Sequence, residues 1–456
     1  MMINLPEEVK TLLNKLHNNN HKAYVCGGAV RDAIIGQTPK DWDICTSARP
    51  TEMIKIFKDE KVIPTGLQHG TITVMMNDNP IEITTFRCDG KYSDNRRPDY
   101  VEFTTDVIED LKRRDFTINA MAYNEEEGLI DPFDGKSDLS KRIIRCVGNP
   151  EERFDEDALR ILRALRFSAR LDFNIDNQTA KALTDKRYLL RNISSERINS
   201  ELCKILMSEC CGTWVFRHYP EVFRQIIPEL GEMMGFLQNN PHHLYDVWEH
   251  TMECMLYELI YEKTDLIVRL AVLLHDVGKP YCYTEDEDGV GHFYGHAKIS
   301  AEIAEDILIR LRFSNDIKDK VVELIANHDV TFTPTPRAVK KLLNKLGEEQ
   351  LRRLLLLRGF DIHGQNQYTD SWSEKKMRLG QMYPILNFVI EENECFQLKD
   401  LAINGNDLIE LGFESGKKIG QILNTLLMAV IDGDIKNKKE KLIQFVKDIY
   451  KGEMNE

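Results

Sequence analysis

The sequence lacks the marks of a membrane or exported protein. Its most apolar stretch, Leu266 to Leu274, is interrupted by Arg269 and is too short to span a bilayer. The first residues, Met1 to Val9, do not have the basic-then-apolar layout of a signal peptide. We therefore expect a cytoplasmic protein with no membrane partner.

Paired cysteines and an excess of basic residues are also missing. None of the ten cysteines forms a CxxC pair, and Cys210 and Cys211 are adjacent, which suits neither a zinc ribbon nor a disulfide framework. We expect reduced thiols, mostly buried. The net charge of −14 argues against a surface that binds nucleic acid over its whole area. A local basic track is compatible with it, because phosphate binding depends on where the cations lie.

The composition, with 42% hydrophobic and 29% charged residues, is typical of globular proteins, and 456 residues predict about two to four domains. Helix and strand patterns alternate over roughly the first 130 residues, beginning with an amphipathic helix at Glu7 to His17, and helical apolar spacing dominates afterwards. The predicted strands are Ala23–Cys26, Trp42–Cys45, Thr71–Met75, Ile81–Phe86 and Val101–Thr104. Residues 89–100, rich in Gly, Asp, Asn and Arg, predict a mobile loop. The fold class is thus α+β and multidomain: a head with a small mixed sheet, followed by an all-helical body.

A glycine turn precedes two acidic residues in the head. Gly27 and Gly28 end a predicted strand and open a helix, which lets a polyphosphate approach the backbone N–H groups. Asp41 and Asp43 alternate along the next strand, so both side chains would face the same side. Carboxylates this close repel unless a divalent cation lies between them, and phosphoryl transfer uses such cations. A solvated polar turn would explain each half of the pattern alone.

Two arginine-rich segments follow. Residues 113–120 carry Arg114, Asp115 and Asn119 within two predicted helical turns, and arginine binds phosphate oxygens in pairs. In the predicted helix 156–170, an arginine stripe lies opposite the apolar residues; it comprises Arg160, Arg163, Arg166 and Arg170. A solvated basic face is the alternative interpretation of that stripe.

Asp157 and Arg160 lie one helical turn apart in this segment. Cytosine and adenine each present an amino donor beside a ring-nitrogen acceptor, whereas uracil and guanine present the opposite pattern. A carboxylate beside a guanidinium complements the first pair and opposes the second. These two side chains could therefore select C and A without a template.

These motifs together resemble the class of tRNA CCA-adding enzymes found in bacteria and eukaryotes, and the related bacterial poly(A) polymerases. They occur in family order over about the first 210 residues: GGAVRD at 27–32, DWD at 41–43, HGTITV at 69–74, EITTFR at 82–87, YSDNRRPDYVEF at 92–103, RRDFTINA at 113–120, EDALRILRALRF at 156–167 and ERINSELCKIL at 196–206. The resemblance implies a head of the polymerase-β-like nucleotidyltransferase fold and, as partners, tRNA, CTP and ATP.

The resemblance also implies roles for the site residues. Asp41 and Asp43 would hold Mg²⁺ and carry catalysis, while Gly27, Gly28 and Arg31 would bind the triphosphate. The remaining nucleotide-binding residues would contact ribose, phosphate and base; they are Arg114, Asp115, Asn119, Asp157, Arg160, Arg163 and Arg166. The loop at 89–100 resembles the family's flexible loop, which is implicated in switching from C to A addition.

The shared motifs do not separate CCA addition from poly(A) addition, or from addition of CC or A alone. Poly(A) polymerases of this type often carry a basic C-terminal extension, whereas the tail from Ile435 to Glu456 mixes Lys with Asp and Glu. That composition favours tRNA as the substrate. The sequence gives no indication of the oligomeric state.

A second metal-binding pattern lies in the helical body. His275 and Asp276 follow an apolar helix, and such a pair is costly to bury unless a metal or a partner takes it. Imidazole and carboxylate suit Mn, Fe, Ni, Zn or Mg. The pattern resembles the HD superfamily of metal-dependent phosphohydrolases, which implies His250, His275, Asp276 and Asp361 as ligands. His296 and His328 would be extra ligands of a binuclear site, and Asp329 competes with Asp361 for the last position.

Four regions are predicted: a nucleotidyltransferase head at 1–138, a helical neck at 139–235, an HD domain at 236–372 and a helical tail at 373–456. We expect CCA addition to tRNA with pyrophosphate release, and an HD phosphatase or 2′,3′-cyclic phosphodiesterase as a second activity. Two rivals are a phosphohydrolase whose head only docks RNA and a non-catalytic RNA-binding module. A structural role for the helical body would also preserve its His and Asp residues.

Overall fold

The computed structural model describes residues 2–90, 100–208, 212–258 and 264–450. Most of the predicted loop, residues 91–99, and the pair Cys210 and Cys211 lie outside the described residues. The chain divides into two compact units, Met1–Gly231 with Arg310–Arg312, and Glu232–Ile309 with Phe313–Glu456. The predicted division into four regions is finer than this and stays a prediction.

The first unit contains all but two of the strands assigned in the described residues. They are β1 Ala23–Cys26, β2 Asp43–Thr46, β3 Lys61–Gly66, β4 Thr71–Met76, β5 Asn79–Thr85, β6 Arg87–Asp89, β7 Val101–Phe103, β8 Ala122–Asn124, β9 Gly128–Ile130, β10 Ile143–Ile144 and β11 Asn174–Ile175. Seven of them form a mixed sheet in the order β3-β4-β5-β2-β1-β8-β9. In that sheet β2 pairs with β5 in parallel, and the other pairings are antiparallel.

The helices of this unit cover the sheet and continue beyond it. They are α1 Glu7–Asn18, α2 Gly28–Ile34, α3 Pro50–Ile56, α4 Val107–Lys112, α5 Gly135–Lys141, α6 Pro150–Glu156, α7 Leu159–Leu171, α8 Asn177–Asp185, α9 Ser195–Leu206, α10 Gly212–His218 and α11 Pro220–Ile226, with 3-10 turns at Leu67–His69, Thr117–Asn119 and Arg187–Asn192. A core of sheet and helix residues, including Tyr24, Cys45, Phe86 and Leu111, lies beneath the strand ends that carry the glycine turn and Asp43.

Over its described residues, the second unit is helical except for one short hairpin, β12 Thr284–Glu285 with β13 Gly291–His292. After α12 Leu230–Met233, its helices are α13 Val247–Glu258, α14 Leu266–Leu274, α15 His296–Arg310, α16 Asn315–Asn327, α17 Pro336–Gly364, α18 Asp370–Glu391, α19 Gly405–Glu410, α20 Lys417–Asp432 and α21 Lys439–Ile449, with 3-10 turns at Lys279–Tyr281 and Leu398–Asp400. Helix α17 bends at Gly347, where φ is +76°. The last three helices share a hydrophobic core that includes Leu408, Leu427, Leu442 and Val446.

The predicted fold class is confirmed, but three local predictions were wrong. Strand β2 begins at Asp43, so Asp41 lies in the bend before it. Residues 113–120 are not one helix, because α4 ends at Lys112 and a separate 3-10 turn covers Thr117–Asn119. The predicted helix 156–170 is interrupted at Asp157, which has an extended backbone with φ −136° and ψ 101°. In each case the tertiary packing overrides a pattern read from local spacing.

Candidate nucleotide and metal sites

One cavity of about 630 Å³ in the first unit brings together every head and neck residue predicted for nucleotide or magnesium binding. These are Gly27, Gly28, Arg31, Asp41, Asp43, Arg114, Asp115, Asn119, Asp157, Arg160, Arg163 and Arg166. They come from segments more than a hundred residues apart. A cavity of this volume is large enough for a small-molecule ligand of nucleotide size.

The glycine turn forms one wall of the cavity. Gly27 has φ +70°, and a Cβ added there would lie 2.9 Å from Nη1 of Arg114. The Gly27 backbone N–H donates to the carbonyl oxygen of Met121 at 3.1 Å. Glycine is therefore required both for the left-handed backbone and for the close approach of Arg114.

The two predicted magnesium ligands line the same cavity. Asp43 is paired with Cys26 across strands β1 and β2, which places it beside the glycine turn. Desolvation raises the pKa of Asp43, as do Glu82 and Asp41, while Arg114 opposes the shift. A carboxylate whose charge is disfavoured in this way is stabilised by a bound cation. The oxygen donor set fits Mg²⁺.

A chain of polar contacts joins the glycine turn to the arginine helix. Arg31 donates to Asn119 Oδ1 at 2.7 Å, Asn119 Nδ2 donates to Asp115 Oδ1 at 3.1 Å, and Arg163 Nε donates to Asp115 Oδ2 at 2.8 Å. Burial alone would raise the pKa of Asp115, but Arg163, Asn119 and Arg160 outweigh it and lower the pKa to about 2. The carboxylate is therefore ionised at neutral pH and holds Asn119 and Arg163 in position.

The predicted base-reading pair lines the cavity, but each member already has a protein partner. Asp157 Oδ2 accepts from Arg197 Nη2 at 2.9 Å. Arg160 donates to Glu156 Oε2 at 2.6 Å and to the carbonyl oxygen of Arg113 at 3.0 Å. Because α6 ends at Glu156 and α7 begins at Leu159, Asp157 reaches the cavity from the junction between two helices.

Three residues in or next to the cavity escaped the sequence interpretation: Lys40 and Arg197, which line it, and Asp110, which does not. Arg197 lines the cavity, and its presence within the ERINSELCKIL segment was the available signal. Asp110 is fully buried and accepts from Arg113 at 2.8 Å, from Arg114 at 3.2 Å and from the Arg87 backbone N–H at 3.3 Å. Its spacing of three and four residues from two arginines was the signal there.

In the second unit, all six residues predicted for the HD site lie together. Nε2 of His250 is 3.4 Å from Nε2 of His275 and 3.3 Å from Asp361 Oδ1. Nε2 of His296 is 3.1 Å from Nε2 of His328, and both lie within 3.7 Å of Asp276 Oδ1. Asp329, the competing candidate, has a side chain that is 60% exposed and lies 3.9 Å from Arg358. The geometry favours Asp361.

The hydrogen bonds of the four histidines determine which ring nitrogen of each faces the cluster. Each of the four Nδ1 atoms lies 2.7–3.0 Å from a backbone carbonyl oxygen. A carbonyl only accepts, so each Nδ1 is the donor and each Nε2 presents a lone pair to the cluster. Within the described residues, neither oxygen of Asp276 receives a hydrogen bond of normal geometry, although Lys279 Nζ lies 2.7 Å from Oδ2. Converging lone pairs beside a buried carboxylate fit a divalent metal of the Mn, Fe, Ni or Zn type.

Known protein families match three parts of the chain. Residues 23–145 match the poly(A) polymerase head domain, residues 172–218 match the RNA and SrmB-binding site of polymerase A, and residues 284–446 match tRNA nucleotidyltransferase domain 2. The CCA-adding enzyme of Ligilactobacillus salivarius is 32% identical over 98% of this chain and 98% of its own length. The chain belongs to the CCA-adding enzyme family.

Other comparisons agree with this membership. The CCA-adding enzyme of Enterococcus faecalis is 34% identical over 97% of this chain and 95% of its own length. The solved structure of the Bacillus stearothermophilus CCA-adding enzyme in complex with CTP has a TM-score of 0.67 and 28% identity, and covers 98% of this chain and 97% of that one. Nucleotidyltransferases of the CCA-adding enzyme family are expected to use a divalent metal.

The histidine–aspartate cluster stands partly apart from these matches. His250, His275 and Asp276 lie between the second and third matched ranges, while His296, His328 and Asp361 lie within the third. Among the described residues, no helix combines the length and apolar character needed to cross a lipid bilayer.

Proposed function

We propose that this CCA-adding enzyme family member adds C, C and A to the 3′ end of tRNA, using CTP and ATP and releasing pyrophosphate. The observation that carries the proposal is the convergence of the two aspartates, the glycine turn and the arginine helix on one cavity. Relatives named CCA-adding enzyme over almost the whole chain support it. The tail, which mixes Lys with acidic residues, favours tRNA over poly(A) synthesis.

The residues divide the reaction between them. The tRNA 3′ oxygen attacks the α-phosphorus of the nucleotide, the bond to pyrophosphate breaks, and the hydroxyl proton is lost to solvent. Asp41 and Asp43 would hold Mg²⁺, which would supply activation of the hydroxyl and charge neutralisation of the leaving group. Gly27, Gly28 and Arg31 bind the triphosphate. The ribose and phosphates contact Arg114, Asp115, Asn119, Arg163 and Arg166, which line the same cavity.

Asp157 and Arg160 select the base. Arg197 holds Asp157 in place and Glu156 holds Arg160. A cytosine or adenine therefore meets a hydrogen-bond acceptor and a donor that are already positioned. A wrong base leaves buried polar groups unpaired, at a cost of about 1–3 kcal/mol per contact. Replacing Asp157 or Arg160 by Ala should relax the choice among the four nucleoside triphosphates more than it weakens triphosphate binding. Unchanged selectivity for C and A in both variants would refute this role.

The experiment for the main proposal supplies purified protein with tRNA lacking its end, each labelled nucleotide and Mg²⁺, and sequences the product. CCA addition that is lost in Asp41→Ala and Asp43→Ala supports the proposal. Asp59→Ala is the matched control, because Asp59 lies in the turn between α3 and β3 and does not line the cavity. Products that end in a tract of A would instead indicate a poly(A) polymerase. Products that end in CC alone or A alone would indicate a partial tRNA nucleotidyltransferase. No incorporation, with RNA retained, would indicate an RNA-binding module.

A second candidate function is a metal-dependent phosphohydrolase in the second unit. Its supporting observation is the four histidine lone pairs that converge on Asp276 and Asp361. We propose terminal phosphate or 2′,3′-cyclic phosphate on RNA as the substrate. Metal analysis should find bound Mn, Fe, Ni, Zn or Mg in the wild type and less in His275→Ala. His292→Ala is the control, because His292 pairs with Asp286 away from the cluster. Equal metal content in all three proteins would contradict the site.

A further inference from the structure

A cation-lined cavity adjoins the histidine–aspartate cluster. The cavity at the cluster measures about 250 Å³, and a second one of about 230 Å³ shares Lys375 with it as a lining residue. The two are also linked through Arg358, which lines the second cavity and donates from Nη1 to Asp361 Oδ2 at 2.8 Å. A ligand at the cluster therefore has a neighbouring space within the same unit.

The second cavity carries an excess of positive charge. Its lining includes Arg358, Lys375 and Arg378 and a single carboxylate, Glu374. Glu374 lies 3.6 Å from Arg378 Nη2, and both side chains are at least half exposed, so solvent weakens that pair. Lys375 Nζ donates to the neutral amide oxygen of Gln365 at 2.8 Å, which leaves its charge unneutralised by that contact.

Arg358 adds a buried donor to this wall. The residue is only 8% exposed, and within the described residues its Nε has no hydrogen-bond partner. Desolvated guanidinium groups are costly unless an anion accompanies them. Asp361 and, more distantly, Asp329 both lie beside Nη1, at 2.8 and 3.9 Å, so the Nε side of Arg358 faces neither carboxylate. Three cations around a small cavity are the arrangement that binds a phosphate.

We propose that this second cavity holds the phosphodiester that precedes the terminal phosphate of an RNA 3′ end. The inference rests on the proposed phosphohydrolase and specifies its substrate class as a polynucleotide end rather than a mononucleotide. In the reaction, water adds to the terminal phosphorus, the P–O bond to the ribose oxygen breaks, and a water proton passes to that oxygen. The internal phosphodiester remains intact and only anchors the chain.

The test compares two substrates that differ by one phosphodiester, the dinucleotide CpA with a 3′-phosphate and adenosine 3′-monophosphate. Metal-loaded wild-type protein should hydrolyse the dinucleotide with a kcat/KM at least about tenfold higher, the effect of one charge-assisted contact. Arg378→Ala, which lies outside the cluster cavity, should reduce this ratio severalfold. Lys376→Ala is the control, because Lys376 packs over the Trp372 ring at 4.7 Å and does not line the second cavity.

Binding provides a readout independent of turnover. Calorimetry on the metal-loaded protein should give tighter binding of CpA than of adenosine, with the difference reduced in Arg378→Ala and kept in Lys376→Ala. Hydrolysis of both substrates at equal kcat/KM, with the same ratio in Arg378→Ala, would overturn the subsite and leave the phosphohydrolase standing. Hydrolysis of neither substrate would overturn the phosphohydrolase and this inference together.

Discussion

Arg163 on helix α7 donates to the carboxylate of Asp115, forty-eight residues earlier, at 2.8 Å. This contact joins the arginine helix to the segment that follows α4, and through Asn119 it reaches Arg31 behind the glycine turn. Two motifs that are separate in sequence thereby form one wall of the nucleotide cavity.

The Asp115 contact predicts a pH dependence of stability. Because the folded pKa is about 2, below the ordinary 3.8, the ionised carboxylate stabilises the fold above pH 3.8, and this contribution is lost as the pH falls toward 2. Asp115→Asn should lower the free energy of unfolding by about 2 kcal/mol at pH 7, with a smaller difference near pH 3. Urea denaturation from pH 7 to pH 3 measures it. A wild-type to variant difference that stays constant over this range would contradict the assignment.

Replacing the buried Asp110 should reduce the free energy of unfolding more than replacing its exposed neighbour Glu109. Asp110→Asn removes the buried carboxylate beside Arg114 and the nearer of two carboxylates beside Arg113, which keeps Asp89 Oδ2 at 3.6 Å. Breaking a buried ion pair of this kind costs about 3–5 kcal/mol. Glu109→Gln is the control, since the Glu109–Lys112 pair is at 3.7 Å and largely exposed, so its loss should cost less than about 1 kcal/mol. Chemical denaturation of the two variants would reveal the contrast, and similar losses in both would count against the buried network.

Two glycines with positive φ differ in the space available for an added side chain. Gly27 and Gly36 have φ of +70° and +78°. A Cβ added at Gly27 would lie 2.9 Å from Arg114 Nη1, whereas at Gly36 no atom of the described part of the chain lies within 4 Å. Both Ala variants should lose at least about 1 kcal/mol of stability from the positive φ, and Gly27→Ala should lose more, because its ψ of −128° lies outside the left-handed α region. Gly27→Ala alone should also raise the KM for CTP, because it displaces Arg114. Equal KM values in the two variants would argue against that displacement.

The Asp157–Arg197 contact predicts coupled effects on nucleotide selection. If Arg197 acts by holding Asp157, Arg197→Ala should reduce discrimination against UTP and GTP less than Asp157→Ala does. The double variant should then behave like Asp157→Ala, because the partner has nothing left to position. The double-mutant cycle is measured from the ratios of kcat/KM for the four nucleotides in the wild type, the two single variants and the double variant. Fully additive losses would mean that Arg197 contributes independently of Asp157.

The sequence by itself determined the family, the α+β class and most of the charged residues that line the cavity. Residues required for catalysis can be recognised in short motifs such as Asp41-Trp42-Asp43 even where the local secondary structure is predicted wrongly. The sequence also marked His250, His275, Asp276 and Asp361 as a possible ligand set, because few other roles place histidine beside aspartate at the end of an apolar helix.

Only the tertiary structure decided which partners these side chains take. Local spacing predicted continuous helices through Asp115 and Asp157, yet both segments break, because contacts from distant residues outweigh helix propensities worth less than about 1 kcal/mol per residue. Arg197 reaches Asp157 from forty residues away, and Asp361 reaches His250 from another helix. Those contacts depend on how helices pack, and packing joins residues whose separation along the chain carries no periodic signal.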